Sequence, residues 1–206
     1  MCTREEEKKL IDEGYQFIVG ADEAGAGCLA GPVTICACYM PLHVEIPGIN
    51  DSKKLSPKRR ELLFKMITEH PDVKYAIVHI DNETIDQINI LQARFRGFHE
   101  AYLQLKTQLP NISTILIDGN QKPPQFTKES VHVKTIVGGD SKVTCIGAAS
   151  IIAKVTRDRM MVQYDEQYPG FNFGANKGYY QKEHISSIQK LGPSPIHRLT
   201  FRGVNK

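Results

Sequence analysis

The stretch Phe17-Ile18-Val19-Gly20-Ala21-Asp22-Glu23-Ala24-Gly25-Ala26-Gly27-Cys28-Leu29-Ala30-Gly31-Pro32-Val33 decides how the rest of the chain is read. Apolar and small residues lead into two adjacent carboxylates. A Gly-Ala-Gly turn follows, and a second apolar run extends from Val33 to Met40. Neighbouring side chains of a strand point to opposite faces, so Asp22 and Glu23 cannot both face one site from regular β-structure. They can if the strand ends at Asp22 and Glu23 lies on a loop that swings over it, and that is the expectation. Gly25 and Gly27 would give the loop its backbone freedom and let a ligand approach the main chain. Two carboxylates forced together repel and attract cations, and their hard oxygens suit Mg2+ or Mn2+. A strand ending in a polar turn is the alternative reading, and the residues downstream weigh against it.

Outward from this stretch the pattern alternates. Thr3 with Glu6 reads as a capping box and Glu5 with Lys9 as an i,i+4 pair, so a short helix is expected over 3–13, stopped at Gly14. Strands are expected over 16–22 and 32–40, then a Pro/Gly-punctuated loop over 41–54. Ser56 and Pro57 open a helix whose apolar face is Leu62, Leu63, Met66 and Ile67. A strand over 73–80 precedes a long helical pattern of Ile85, Ile88, Leu91, Phe95, Phe98, Tyr102, Leu105 and Leu109, with Asn89 and Gly97 as candidate breaks. Strands over 114–117 and 131–137 run into Asp118-Gly119-Asn120 and Gly138-Gly139-Asp140. A helix from 142 to about 167 carries small residues suited to close packing on a sheet. A loop over 170–178, a helix over 179–189 and a proline-broken tail complete the chain. Strands followed by alternating helices and strands indicate an α/β sheet with helices on its faces.

At 206 residues and 41% hydrophobic, the chain suits one globular domain with a small appendage. The expected division is a catalytic domain over 1–168 and a C-terminal helical appendage over 169–206 that packs on it and contributes to substrate binding. No apolar run is long enough to span a bilayer, and Met1 to Glu7 lacks a signal-peptide core. The five cysteines lack metal-ligand spacing, and Cys36 and Cys38 share one strand face. They read as reduced core residues of an intracellular, cytoplasmic protein. A net charge of +3 permits a polyanionic partner.

Asp22 and Glu23, Asp118 and Asp140 share one property, since each sits where an expected strand ends. Strand ends of one open α/β sheet converge on the patch where such sheets place ligands. Asp158 competes with Asp140 for the fourth place, but across a helix the two would lie ~27 Å apart, too far for one cluster. Asp140, at a strand end, is preferred. Asp158 is read as a surface or structural carboxylate paired with a nearby Arg or Lys. Four acidic groups in one cleft suit two divalent ions that activate water and stabilise a leaving oxygen at a phosphodiester. Lys53, Lys54, Lys58, Arg59 and Arg60 crowd a helix start, where the dipole disfavours positive charge and a phosphate backbone would reward it. A second basic group is Lys177, Lys182, Lys190, Arg198 and Arg202, with Phe171, Phe173, Tyr179, Tyr180 and Phe201 nearby. Phe171 and Phe201 are read as packing residues.

The chain resembles the type 2 ribonucleases H, the ribonuclease HII family, over nearly its whole length. The matching blocks are Asp22-Glu23-Ala24-Gly25, Leu29 to Val33, Asp51-Ser52-Lys53-Lys54-Leu55-Ser56, Ile117-Asp118-Gly119-Asn120, Gly139-Asp140, Ala148 to Asp158, Lys177-Gly178-Tyr179 and His197-Arg198. The resemblance implies an RNase H-like fold, a mixed β-sheet flanked by helices with a small helical C-terminal appendage. It implies cleavage of the RNA strand of RNA–DNA hybrids, including 5′ of a single ribonucleotide embedded in duplex DNA, leaving 3′-OH and 5′-phosphate ends. By that likeness Asp22, Glu23, Asp118 and Asp140 are catalytic and hold two Mg2+ or Mn2+ ions. Gly25, Ala26 and Gly27 contact the ribose 2′-OH through the backbone, and Tyr179 stacks on the following deoxyribose. Lys53 is a further nucleic-acid contact, and the enzyme is expected to act as a monomer. One departure stands out, because the family usually has Gly-Arg-Gly where this chain has Gly25-Ala26-Gly27. The alternatives are a nucleic-acid-binding protein whose junction cleavage is weakened by Ala26, or another two-metal nuclease on the same fold.

Overall fold

The computed structural model describes residues 1–205. Five strands, β1 (Ile18–Ala24), β2 (Val33–Tyr39), β3 (Lys74–Ile80), β4 (Thr114–Asp118) and β5 (His132–Ile136), form one sheet in the order β3-β2-β1-β4-β5. β1, β2 and β3 pair antiparallel, while β4 and β5 run parallel to β1, so the sheet is mixed. The helices are α1 (Glu5–Asp12), α2 (Pro57–Thr68), α3 (Asn82–Lys106), α4 (Thr144–Gln167), α5 (Phe173–Asn176) and α6 (Lys182–Leu191). Among the described residues no helix is long and apolar enough to cross a membrane.

Strand alternation divides the core into two layers. Val19, Ala21, Ile35, Ala37, Ile115 and Ile117 face α3, against Ala93, Phe98, Ala101, Tyr102 and Leu105. The other face puts Cys36 and Cys38 against Ala148, Ala149 and Ile152 of α4 and Leu63 and Ile67 of α2. Ile18 and Leu116 on that face meet Cys145 and Ile146. Cys36 and Cys38 are buried free thiols, as their shared face predicts. A third cluster joins Leu29, Ala30 and Met161 to Phe171, Phe173, Ile188, Ile196 and Val204, so Phe171 packs as expected.

Local expectations hold where the signal is self-contained. Ser56 caps α2, its hydroxyl accepting the Arg59 N–H at 3.3 Å. The α3 break falls at Asn89 (φ 66°, ψ 164°), whose side chain recaps the helix by accepting the Gln92 N–H. Gly97 does not break the helix. A Cβ there would lie 2.3 Å from Ile35 Cδ1, so its role is close helix–sheet packing. The capping box is not formed. Thr3 is drawn into a bridge with Val143, Glu6 pairs with Lys134, and α1 starts at Glu5 without a side-chain cap. The last helix begins at Lys182 rather than 179, and the loop before it contains the single turn α5. Tyr179 therefore lies in a connection rather than on a helix.

Candidate active site

The first strand does not end at Asp22. β1 runs on to Ala24, with Glu23 paired opposite Ile35 and Ala24 opposite Thr34 of β2. The two carboxylates therefore do point to opposite faces. They still belong to one site because of what happens on the other side of β1. Its pairing with β4 stops at Ala21 and Ile117. One step further in that register puts Asp22 beside Asp118 on the same face, at the ~5 Å spacing of adjacent strands. The site straddles the open end of the sheet, with Asp22 towards α4 and Glu23 towards α3.

Each carboxylate has its own support. Asp22 is buried, accepts the Glu23 N–H at 2.7 Å, and lies against the Ser150 hydroxyl of α4. Ser150 is in turn 3.0 Å from the buried hydroxyl of Ser52. A carboxylate has no proton to give, so a chain that satisfies all three groups runs from Ser52 O–H to Ser150 O–H to Asp22. Glu23 Oε1 lies 2.8 Å from Arg94 Nε of α3. Asp118 Oδ1 accepts the Gly139 N–H at 2.7 Å, which ties the turn carrying Asp140 to the end of β4.

The electrostatics show that these groups feel one another. Burial, then the charges of Glu23 and Asp118, push the Asp22 carboxyl well above its ordinary range. Glu23 is pushed up by burial and Asp118 and held back chiefly by Arg94, with Lys53 helping. Asp140 is raised by burial, Asp118 and Asp51, with Lys53 again opposing. Like charges desolvated together want cations. Glu23 Oε2 is buried with no hydrogen-bond partner, an oxygen that an ion could satisfy. Hard carboxylate oxygens of this kind fit Mg2+ or Mn2+. Among the described residues no three acidic, His or Cys side chains close around one point, so the ligands are gathered but not drawn into a finished cage.

The loop after β1 is held from behind by two fully buried arginines. Arg198 donates from Nη2 to the carbonyl of Gly25 (2.7 Å), from Nη1 to that of Ala26 (2.8 Å), and from Nε and Nη2 to that of Gly31. Arg157 donates to Pro32, Ala30 and Lys177. Gly25 has φ +91°, and a Cβ there would sit 2.0 Å from Arg157 Nε, so only glycine fits. In a trans peptide the N–H points opposite to the preceding carbonyl. With the carbonyls of Gly25 and Ala26 turned inward to Arg198, the N–H groups of Ala26 and Gly27 face outward. Tyr179 is brought to this loop because the Leu29 N–H bonds to the Gly178 carbonyl and Arg157 to that of Lys177. Its half-buried ring lies 5.2 Å from Lys154 Nζ, and burial beside Cys28 pushes the phenol up to about 12.

The basic groups sort differently from their sequence clusters. Lys53, Lys54 and Lys58 are exposed, and Lys53 reaches the carboxylates electrostatically. Arg59 and Arg60 are committed to the carbonyls of Pro47, Ser52 and Leu55. Arg198 is wholly buried and leaves the second basic group. Asp158 pairs with Lys154 (2.7 Å) and Arg60 (3.5 Å), the structural role expected of it. The sequence reading gave Asp51, Arg94, Ser150 and Arg157 no role in the site and placed Arg198 in a basic group beside the aromatics. A signal existed for two of them. Arg157 lies between Ala153 and Met161, and Arg94 between Ile90 and Phe98, each at i±4 on an apolar stripe where a charge needs a reason.

Comparison with known proteins shows the family and the fold. The ribonuclease HII family model matches residues 19–204. A ribonuclease HII of Endomicrobium trichonymphae is 49% identical over 199 residues, covering 97% of this chain and 91% of that protein. The crystal structure of the ribonuclease H2 from Pyrococcus horikoshii OT3 superposes with a TM-score of 0.72 at 28% identity, over 91% of this chain and 94% of that one. Bst-RNase HIII, solved in complex with Mn2+, shares the fold, with a TM-score of 0.67 at 20% identity over 91% of this chain and 67% of that one.

Proposed function

The chain belongs to the ribonuclease HII family and is a ribonuclease H, and from that premise we propose that it cuts the RNA strand of RNA–DNA hybrids and also 5′ of a single ribonucleotide in duplex DNA. The observation that carries the reading is the adjacency of Asp22 and Asp118 at the open sheet end, with Glu23 and Asp140 converging on them.

In this reading Asp22, Glu23, Asp118 and Asp140 hold two divalent ions, Mg2+ or Mn2+. When bound, such ions supply water activation at neutral pH and charge stabilisation at the phosphodiester. The protein's own contribution is placement. Ser150 orients Asp22, Arg94 steadies Glu23, and the Gly139 N–H fixes Asp118. The outward N–H groups of Ala26 and Gly27 donate to the ribose 2′-oxygen, the one group that separates RNA from DNA at the scissile step. Recognition by the main chain tolerates alanine at position 26. Tyr179, beside the same loop, stacks on the next sugar, and Lys53 contacts the backbone on the Asp140 side. The hydrolysis leaves 3′-OH and 5′-phosphate ends. The enzyme acts as a monomer in this reading, with residues 169–206 docking on the catalytic part through the Phe171–Phe173 cluster. The weakened binding protein is the less favoured alternative, because all four carboxylates are in place.

The test is cleavage mapping on three duplexes in Mg2+ and in Mn2+: a ribonucleotide run, a single ribonucleotide, and DNA alone. Cutting of the first two at the 5′ side of ribose, abolished by Asp22→Asn, is the expected result. Cutting of plain DNA at a similar rate would end the 2′-OH argument.

A further inference from the structure

A nucleic-acid strand entering this site brings more negative charge to a place that already holds four carboxylates. The loop beside them, Gly25-Ala26-Gly27, has no cationic side chain. Positive charge must come from other elements, and two cations act directly on Glu23 and Asp140. Lys53 stands on the Asp140 side, exposed and on a flexible stem. Arg94 stands on the Glu23 side, half-buried and rigidly presented by α3.

Arg94 differs from the other buried arginines in how it spends its donors. Arg157 and Arg198 use theirs on inward loop carbonyls. Arg94 Nε lies 2.8 Å from Glu23 Oε1, yet its N–H is not aimed at that oxygen, and among the described residues it has no aligned acceptor. Glu23 Oε2, next to it, is likewise unpartnered. The two charges form an ion pair through Nε, which leaves the terminal N–H groups of the guanidinium without a hydrogen-bond acceptor among the described residues. The Asn89 break sets the direction of the helix here. It restarts the helix so that Ile90, Arg94 and Phe98 fall on one stripe, with Ile90 and Phe98 packed in the core and Arg94 at the sheet end. Arg94 Nη2 also reaches the turn after β4, 4.0 Å from where a side chain on Gly119 would begin. A guanidinium held at the mouth of the site with free N–H groups matches the paired oxygens of a phosphodiester.

We propose that Arg94 is a substrate-binding residue, gripping a backbone phosphate of the ribose-containing strand next to loop 25–27 and supplying from α3 the cation that the loop lacks. The proposal rests on the nuclease reading above. It is also specific, because a guanidinium placed in the loop at position 26 should be able to replace it.

The experiment compares wild type, Arg94→Met, Arg94→Lys and the double variant Arg94→Met/Ala26→Arg. Steady-state cleavage of a hybrid duplex is measured alongside equilibrium binding of the same duplex in chelator at several salt concentrations. Methionine keeps the stem that packs on the sheet, and thermal unfolding checks that each variant folds. Arg94→Met should raise KM by about 10-fold, the loss expected of one charge-assisted contact, on top of whatever kcat loses when Glu23 is left unpaired. Its salt dependence should fall by about one phosphate's worth, ~0.9 in the slope of log K against log salt. Arg94→Lys should fall between, and the double variant should recover most of the KM. An unchanged KM and salt slope with a reduced kcat would overturn the proposal and leave Arg94 as a neutraliser of Glu23 alone. Wild-type enzyme that never cuts the hybrid would instead sink the nuclease reading, a separate outcome.

Discussion

Arg198→Met tests whether the loop proposed to recognise ribose is built from behind. The guanidinium is 0% exposed and makes four hydrogen bonds of 2.7–3.0 Å to the carbonyls of Gly25, Ala26 and Gly31. Burial pulls its pKa down to about 10, so it stays charged at neutral pH. Methionine keeps a stem to cover Phe201, whose ring lies 5.1 Å from the guanidinium carbon, and removes every donor. The carbonyls of Ala26 and Gly31 then lose their partners, at about 1–3 kcal/mol each, while that of Gly25 keeps the Cys28 N–H. The desolvation of the charge disappears with it and offsets part of that loss, leaving a net cost of about 3 kcal/mol. For a chain of this length that is a fall in Tm of roughly 10 °C. Thermal unfolding by circular dichroism in chelator measures it.

The functional consequence follows from peptide geometry. Once Arg198 is gone, only the 3.2 Å bond from the Cys28 N–H to the Gly25 carbonyl holds the Ala26 N–H outward, and nothing holds that of Gly27. Cleavage at a single ribonucleotide, which depends on one 2′-OH, should fall by about 100-fold in kcat/KM, equivalent to two such hydrogen bonds. Divalent-ion affinity, measured by calorimetry, should hardly change, because the carboxylates are fixed by strands and turns rather than by Arg198. A Tm within about 2 °C of wild type, or loss of ion binding in step with activity, would refute the argument.

Other outcomes follow from the same structure. Asp22→Asn should abolish hybrid cleavage yet raise Tm by a few degrees in chelator, because it removes a buried carboxylate that its neighbours repel; a lower Tm would mean that Asp22 is structurally required as a charge. Ser150→Ala should lower kcat about 10-fold with KM for the duplex unchanged, and Ser150→Thr should restore part of it if the hydroxyl orients Asp22. His197 has its pKa lowered to about 4 by burial and by His184, so the unfolded chain binds the proton first. Stability should therefore be full above pH ~6.5 and decline towards pH ~4, by up to about 3 kcal/mol, and His197→Asn should flatten that slope in urea titrations. The pair that sets this slope is ordered by proton arithmetic. The Tyr179 carbonyl takes the His184 Nδ1 proton, His184 Nε2 accepts from His197, and His197 Nδ1 accepts the Ser194 N–H.

The parts of the site legible in the sequence share a cause: their signal is local. An acidic residue closing an apolar run could be found without the fold, although only Asp118 ends its strand: β1 runs past Asp22 to Ala24, and Asp140 lies on a 3-10 turn beyond the end of β5 at Ile136. Glu23 was found for the wrong reason. Its residue type and neighbours suggested a loop, whereas pairing with β2 carries β1 on to Ala24, and pairing is a property of a partner more than ten residues away. The arginines were misread because charge normally means surface. What makes Arg157 and Arg198 internal is a set of inward carbonyls in a glycine loop, and no residue type advertises which way its carbonyl points. The same reasoning explains why Arg94 could be seen only in three dimensions. Its place on an apolar stripe shows that it is buried in part, but only the structure shows that its terminal N–H groups are unspent while those of Arg157 and Arg198 are used. In a site crowded with carboxylates, what separates a structural arginine from one left for the ligand is the number of acceptors the protein itself provides.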